Sequence, residues 1–277
     1  MDCRYCQHRL PDNKYRCKSC GKWNDREERQ NAASSGTATA DVVRLSKVKP
    51  GVLTRIQSGP WDYVFGGGVA QTSVCLMGGK RGAGKSTLFL QMAKAIWPVI
   101  KPRPVIYIAT EESKEQIKDR ADRIGLTVED QDQIAMVSAM GGLPNLNEIL
   151  ETENPGFIFL DSLQGLAGES EDVALALARL MKEFATKLKC PVVMSAHVNK
   201  SDDIAGLEAV QHVVDSVMTF FPDEDGIREL MVEKNRDGKA FIATTFRMTE
   251  KGLEVLELMV DAEEQFEEDD DEDEDED

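Results

Sequence analysis

The sequence predicts an α/β fold, a mostly parallel twisted sheet covered by helices, and three observations predict it. A phosphate-loop pattern lies between an apolar run and a helical stretch, and short β-rich runs then alternate with helical periods. The 277-residue chain, 41% hydrophobic and 30% charged, is also long enough to bury one sizeable core with small appendages. The expected boundaries are a zinc-binding module over 1–28, a linker over 29–52, the α/β domain over 53–260 and an acidic disordered tail over 261–277.

The first element is set by cysteine. Cys3-x-x-Cys6 and Cys17-x-x-Cys20, with ten residues between them, supply four thiolates as two chelating pairs, enough to wrap one tetrahedral zinc ion. In a reducing compartment disulfides are disfavoured, and so short a segment has no core, so its folding is expected to depend on the metal. Four protein ligands make a closed, structural site. Cys75 and Cys190 fall in predicted strands and read as small buried hydrophobes. The stretch 31–40, rich in Ala, Ser and Thr without apolar periodicity, reads as a tether.

Gly79-Lys80-Arg81-Gly82-Ala83-Gly84-Lys85-Ser86 then fits G-x-x-x-x-G-K-[ST] after the apolar run 73–77, with Thr87 opening a helical stretch. Such a loop turns backbone N–H groups inward around phosphates, and the helix start adds its positive end. Lys85 reaches the β- and γ-phosphates, and the Ser86 hydroxyl can ligate Mg²⁺. Nucleoside triphosphate, ATP by expectation, and Mg²⁺ are the implied ligands.

Beyond the loop, strands are expected at 105–108, 134–137, 157–160 and 191–196. The helix from Ser113 to Ile124 should open on a capping box between Ser113 and Gln116 and bury Ile117, Ala121 and Ile124. In the next long helix Val173, Leu177, Leu180, Met181, Phe184 and Leu188 recur at helical spacing and read as its buried face. Further on, Asp237-Gly238 reads as a type I′ turn joining strands at 229–232 and 241–244.

Parallel strands deliver their ends to one edge, so carboxylates there can serve the phosphates. Asp161 closes the strand 157–160 and can hold Mg²⁺ through water. Glu111 and Glu112 follow the strand 105–109, where one of them can orient or deprotonate a water, or both can simply favour a helix dipole. His197 can sense phosphate through a ring nitrogen or make a plain loop hydrogen bond.

The formal net charge of −17 is concentrated: 13 of the 50 acidic residues fall in 263–277, leaving 37 acids against 33 bases elsewhere. Bulk charge therefore argues little about partners. No run of about 18 apolar residues exists to span a membrane and the first residues lack a signal-peptide pattern, so a cytoplasmic protein is expected, of a cell or of an infected host.

Along most of residues 1–258 the chain resembles the bacterial RadA/Sms family of RecA-like DNA repair ATPases. The resemblance is carried by 17–24 in the cysteine module, Phe65-Gly66-Gly67-Gly68-Val69, the phosphate loop, 107–113, Leu160-Asp161-Ser162-Leu163-Gln164, 196–200, 204–206 and 233–238. It implies a RecA-like core in which Glu111 is the catalytic glutamate, Lys85 acts on the phosphates, and Gln164 and His197 couple nucleotide state to DNA-facing loops. Lys234-Asn235-Arg236 is similar to a family signature whose cations reach a neighbouring subunit's γ-phosphate in hexameric motors. Asp237 stands where that signature has Phe, and the family's Lon-protease-like domain is not found after the apolar stretch 253–259.

The implied function is an oligomeric, single-strand-stimulated ATPase that translocates on or remodels DNA in recombination, repair or replication, of the branch-migration or helicase type. A strand-exchange recombinase and an ATP-switched zinc adaptor are the alternatives. Single-stranded or branched DNA, a hexameric ring of identical chains and further replication or recombination proteins are the expected partners. Lys200, the loop 201–207 and Arg4, Arg9, Lys14, Arg16, Lys18 and Lys22 are the candidate DNA contacts. The acidic tail is expected either to aid solubility or to mimic a phosphate backbone.

Overall fold

The computed structural model describes residues 44–47, 54–140, 142, 145–168, 170–198, 207–222 and 226–261. The predicted cysteine module, most of the predicted linker, residues 199–206 and those beyond 261 lie outside them. The chain divides into two units at Val52 and Leu53, and every described strand and α-helix belongs to the second.

In chain order these elements are β1 (Arg55–Ile56), β2 (Val69–Ala70), β3 (Val74–Gly79), α1 (Lys85–Ile100), β4 (Val105–Ala109), α2 (Lys114–Arg123), α3 (Val128–Asp132), β5 (Ile134–Ser138), α4 (Leu146–Glu153), β6 (Phe157–Asp161), α5 (Leu163–Ala167), α6 (Glu171–Leu188), β7 (Val192–His197), α7 (Glu208–Val213), β8 (Ser216–Pro222), β9 (Ile227–Asn235), β10 (Ile242–Thr249) and β11 (Gly252–Asp261). β1 and β2 pair with each other, and the other nine strands form one sheet in the order β11-β10-β9-β8-β3-β7-β6-β4-β5. From β8 to β5 all neighbours are parallel, as expected from the βα alternation. β9, β10 and β11 then extend the sheet in antiparallel fashion.

The central strands are apolar on both sides because helices cover both sides. Val74, Leu76, Ile106, Ile108, Ile158 and Leu160 face one core, with Ala174, Ala178, Met181 and Ala185 of α6. Cys75, Met77, Val105, Tyr107, Phe157 and Phe159 face the other, with Leu88, Phe89, Met92 and Ile96 of α1. Each fully buried aliphatic or aromatic side chain contributes about 1.5–3 kcal/mol in transfer terms. Phe89 and Phe157 each tilt against Phe159 with centroids 4.8 Å away, which pins α1 over β6.

α2 starts where the sequence places it: Ser113 accepts from the Gln116 backbone while the Gln116 side chain accepts from the Ser113 N–H, and Ile117, Ala121 and Ile124 are buried. α6 differs from expectation. Its buried face centres on Ala174, Ala178, Met181, Phe184 and Ala185, whereas Val173 is 43% exposed and Leu177, Leu180 and Leu188 only flank the core. Small residues let the helix lie close to the sheet, which turns the stripe toward the alanines.

The connection from β9 to β10 also differs. Neither Asp237 nor Gly238 has positive φ, which a type I′ turn requires at both central residues; Phe241, at φ 58°, takes the left-handed conformation. Val232 opposes Ile242, so the strands are joined by a longer loop. Cys190 lies just before β7 and not within a strand; burial pushes both its thiol and that of Cys75 up to about 12. No helix of the described residues is long and apolar enough to cross a membrane.

Candidate active site

The phosphate loop links β3 to α1 at the edge where the parallel strands end. Gly84 precedes the helix at φ 111°, a conformation that requires glycine, and a Cβ there would also displace the Met248 methyl, 2.6 Å away at the end of a flexible side chain. No side chain caps α1, so its first N–H groups are left to a ligand, as an anion site needs. Lys85 Nζ donates to the Gly79 carbonyl at 2.5 Å and the Lys80 carbonyl at 3.0 Å. Burial brings its pKa down to about 8, against the pull of Asp161 and Glu111.

The carboxylates converge here. Asp161 ends β6 and takes a hydroxyl donor on each oxygen, Tyr107 Oη at 2.6 Å and Ser195 Oγ at 2.5 Å. Glu111 follows β4; Ser162 Oγ donates to it at 2.6 Å, and His197 Nε2 lies 2.8 Å from the same oxygen. Burial raises the Glu111 carboxyl, but the bonds from Ser162 and His197 outweigh it and hold the group below its ordinary value. It is therefore an anion at neutral pH, able to accept a proton.

The two strand ends are locked in register. Ser162 N donates to Thr110 Oγ1 at 2.7 Å and Thr110 Oγ1 to the Ser162 carbonyl at 3.0 Å, both buried. Gly165 packs against this clamp so closely that a Cβ would lie 2.0 Å from Thr110 Oγ1. Gln164 spans the next gap: its Oε1 accepts from the His197 N–H at 3.1 Å and its Nε2 donates to the His197 carbonyl at 3.3 Å. Gln164 thus ties α5 to the end of β7, whose chain continues into 199–206.

A cavity of about 430 Å³ gathers Lys85, Ser86, Thr87, Glu111, Asp161 and His197, together with the loop from Arg81 to Gly84. Gly79 and Lys80 stand behind it as the carbonyls on which Lys85 rests. Ser86 and Asp161 suit Mg²⁺: a hydroxyl and a carboxylate with lone pairs beyond those taken by Tyr107 and Ser195. Glu112, the neighbour of Glu111, is committed elsewhere, its two oxygens paired with the two Nη atoms of Arg120, one at 2.7 Å. That bond raises the Arg120 pKa further.

Lys234 and Arg236 are not brought to this cavity. Lys234 Nζ donates to the carbonyls of Gln211 at 2.6 Å and Val214 at 2.9 Å, and Arg236 Nη2 to that of His212 at 3.1 Å. They cover carbonyls at the end of α7, beside Asp215, whose N–H bonds the Val74 carbonyl where β3 begins. Burial, followed by Arg236, lowers the Lys234 pKa. Because β9 runs against β8, its start delivers Arg228 to the cradle instead, with Nε on the Ala83 carbonyl at 2.9 Å.

Tyr107, Ser162, Ser195, Arg120 and Arg228 are site residues that the motifs did not single out. Tyr107 and Ser195 had a signal, a polar group inside an apolar strand, where burial demands a partner. Arg228 had none. Cys3, Cys6, Cys17, Cys20 and Lys200 lie outside the described residues, within which no group of three or more His, Cys, Asp or Glu is placed to hold a metal.

The family pattern described as AAA domain matches residues 40–203 of this chain. DNA repair protein RadA of Treponema pallidum is 31% identical over 274 residues, covering 93% of this chain and 58% of that protein. The proteins of the same name from Bacillus subtilis and Escherichia coli are 32% and 30% identical, each over 91% of this chain and 58% of their own length. The chain thus spans little more than half the length of these relatives. The crystal structure of a KaiC-like protein from Pyrococcus horikoshii superimposes with a TM-score of 0.62 at 16% identity, over 74% of this chain and all of that one, which shows the shared RecA-like fold. The alignments bear out the resemblance to RadA carried by the motifs, and with a P-loop ATPase site inside the matched segment the chain belongs to the AAA domain family.

Proposed function

We propose that the chain is a DNA-stimulated ATPase that works as an oligomer and moves along or remodels DNA in recombination, repair or replication, as a branch-migration type of motor. The observation that supports it most is the anionic Glu111 carboxylate, held by Ser162 and His197 in the cavity that also contains Lys85, Ser86 and Asp161. In this reading the loop N–H groups and Lys85 bind the triphosphate, and Glu111 orients a water and accepts its proton. Mg²⁺, held by Ser86 and Asp161, would neutralise charge on the β- and γ-oxygens.

His197 and Gln164 then connect Glu111 to the segment 199–206, where Lys200 and the following loop are the proposed DNA contacts. Lys234 and Arg236 serve a neighbouring chain's cradle. The relatives' name, DNA repair protein, supports DNA as the partner, and a hexameric ring is the proposed assembly. Cys3, Cys6, Cys17 and Cys20 are proposed to hold Zn²⁺, with Arg4, Arg9, Lys14, Arg16, Lys18 and Lys22 of that module as further DNA contacts. The tail 263–277 is proposed to compete with DNA or to engage other replication proteins.

ATP turnover measured with and without single-stranded DNA, alongside mass in solution, tests this. The expected result is an oligomer whose turnover rises with DNA. A metal-replete sample that stays monomeric and leaves ATP intact beside single-stranded, duplex and branched DNA would overturn it.

A further inference from the structure

A second cavity, of about 860 Å³, adjoins the nucleotide cradle, and the side chains common to the two are Arg81, Glu111 and His197. Glu111 and His197 are bonded to each other there. Arg81, three residues before Gly84, is exposed and makes no hydrogen bond or ion pair with another described residue. Its charge is nonetheless felt on both sides of the cradle, lowering the pKa of Lys85 and of Glu111.

The other cations of the cradle are placed differently. Lys85 rests on the Gly79 and Lys80 carbonyls, Arg120 is paired with Glu112, and Arg228 is bonded to the Ala83 carbonyl. Arg123 lines the cradle but not the second cavity. Arg81 alone among these sits at the junction where Glu111 stands, the end of the cradle at which a water must be activated.

We propose that Arg81 is a catalytic residue of its own chain's site, whose guanidinium touches the γ-phosphate and stabilises the charge that develops there during hydrolysis. The proposal rests on the ATPase reading above. In the step, water attacks the γ-phosphorus, its proton passes to Glu111, and the bond from the γ-phosphorus to the bridging oxygen breaks with its electron pair leaving on ADP. Arg81 transfers nothing; its guanidinium offers planar donors that match phosphate oxygens. Such a group acts through charge that is larger in the transition state than in bound ATP, so it should raise kcat more than affinity. It also gives each chain a cation in cis, distinct from Lys234 and Arg236.

The test uses the full chain as wild type, Arg81→Ala and Arg81→Lys. Steady-state turnover gives kcat and KM, and titration with ADP, with and without aluminium fluoride, compares ground-state with transition-state-like binding. Arg81→Ala should lower kcat on the order of 10²-fold with little change in KM. It should keep ADP affinity, which also shows that the cradle is folded, and lose the extra affinity that aluminium fluoride confers on wild type. Arg81→Lys should recover part of both. A raised KM with kcat intact, or an aluminium fluoride preference unchanged by Arg81→Ala, overturns the proposal. If wild type shows no turnover, the ATPase reading falls, while the aluminium fluoride titration still decides the role of Arg81.

Discussion

The parallel and antiparallel halves of the sheet place chemistry by different rules. In the parallel half every strand ends at one edge, so Gly79, Glu111, Asp161 and His197 come together whatever the order of their strands. In the antiparallel half direction alternates, and one strand serves both edges: β9 has Arg228 near its start, at the cradle, and carries Lys234 six residues further, about 20 Å away at strand rise. The same sheet thus holds a complete phosphate site on one side and, on the other, cations that cannot reach that site within their own chain.

The largest expected effect follows from that separation. Lys234→Ala combined with Arg236→Ala should reduce turnover on the order of 10³–10⁵-fold, the scale of a missing trans-acting cation, while leaving ATP affinity unchanged. Mixing this variant with Glu111→Gln chains should restore activity, because each Glu111→Gln chain brings intact cations to its neighbour's intact cradle. If the two residues serve only to cover carbonyls at the end of α7, the double variant will melt at lower temperature and mixing will restore nothing.

Within the cradle the contrast is between adjacent carboxylates. Glu111→Gln should lower kcat by about 10²–10⁴-fold, as expected for a lost general base. Glu112→Gln should cost less than about tenfold, since it only loosens the bond to Arg120. Equal losses, measured as kcat under saturating ATP, would refute the assignment of the base to Glu111.

The sequence made the parallel half legible for a physical reason. Strand runs and helical periods locate the ends of β3, β4, β6 and β7, and a shared direction does the rest, so Lys85, Glu111, Asp161 and His197 could be placed from motifs alone. The dipeptide Asp237-Gly238 misled because a turn preference holds only where the flanking strands pair up to the turn. Here β9 runs on past Val232 to pair Asn235 with Ser216, and Gly238 packs against Gly66 so closely that a Cβ on it would lie 3.0 Å from the Gly66 Cα. Spacing likewise found Met181 and Phe184 on the buried stripe of α6 but added Val173, Leu177, Leu180 and Leu188, where the close approach to the sheet selects Ala174, Ala178 and Ala185. Arg228 was invisible, because nothing local in β9 states which edge its first residues will reach.

The smallest expected effect separates ligand binding from folding at a single residue. Burial holds Lys85 at about 8 against an ordinary 10.5, with Asp161 and Glu111 raising it and Arg81 lowering it. A bound triphosphate favours the charged lysine, so affinity should be level below about pH 8 and fall by up to about tenfold per unit above it. Folding responds in the opposite sense. The unfolded chain holds this proton more tightly, so the burial penalty is fully present below about 8 and fades as pH rises from there to the ordinary lysine value, adding stability over that window. Nucleotide titrations and chemical denaturation at matched pH should therefore slope in opposite directions from 8 upward, and Lys85→Met should remove its share of the stability slope. An affinity that stays level across that window would mean that Lys85 keeps its proton in the empty cradle, held there by the carboxylates of the parallel half.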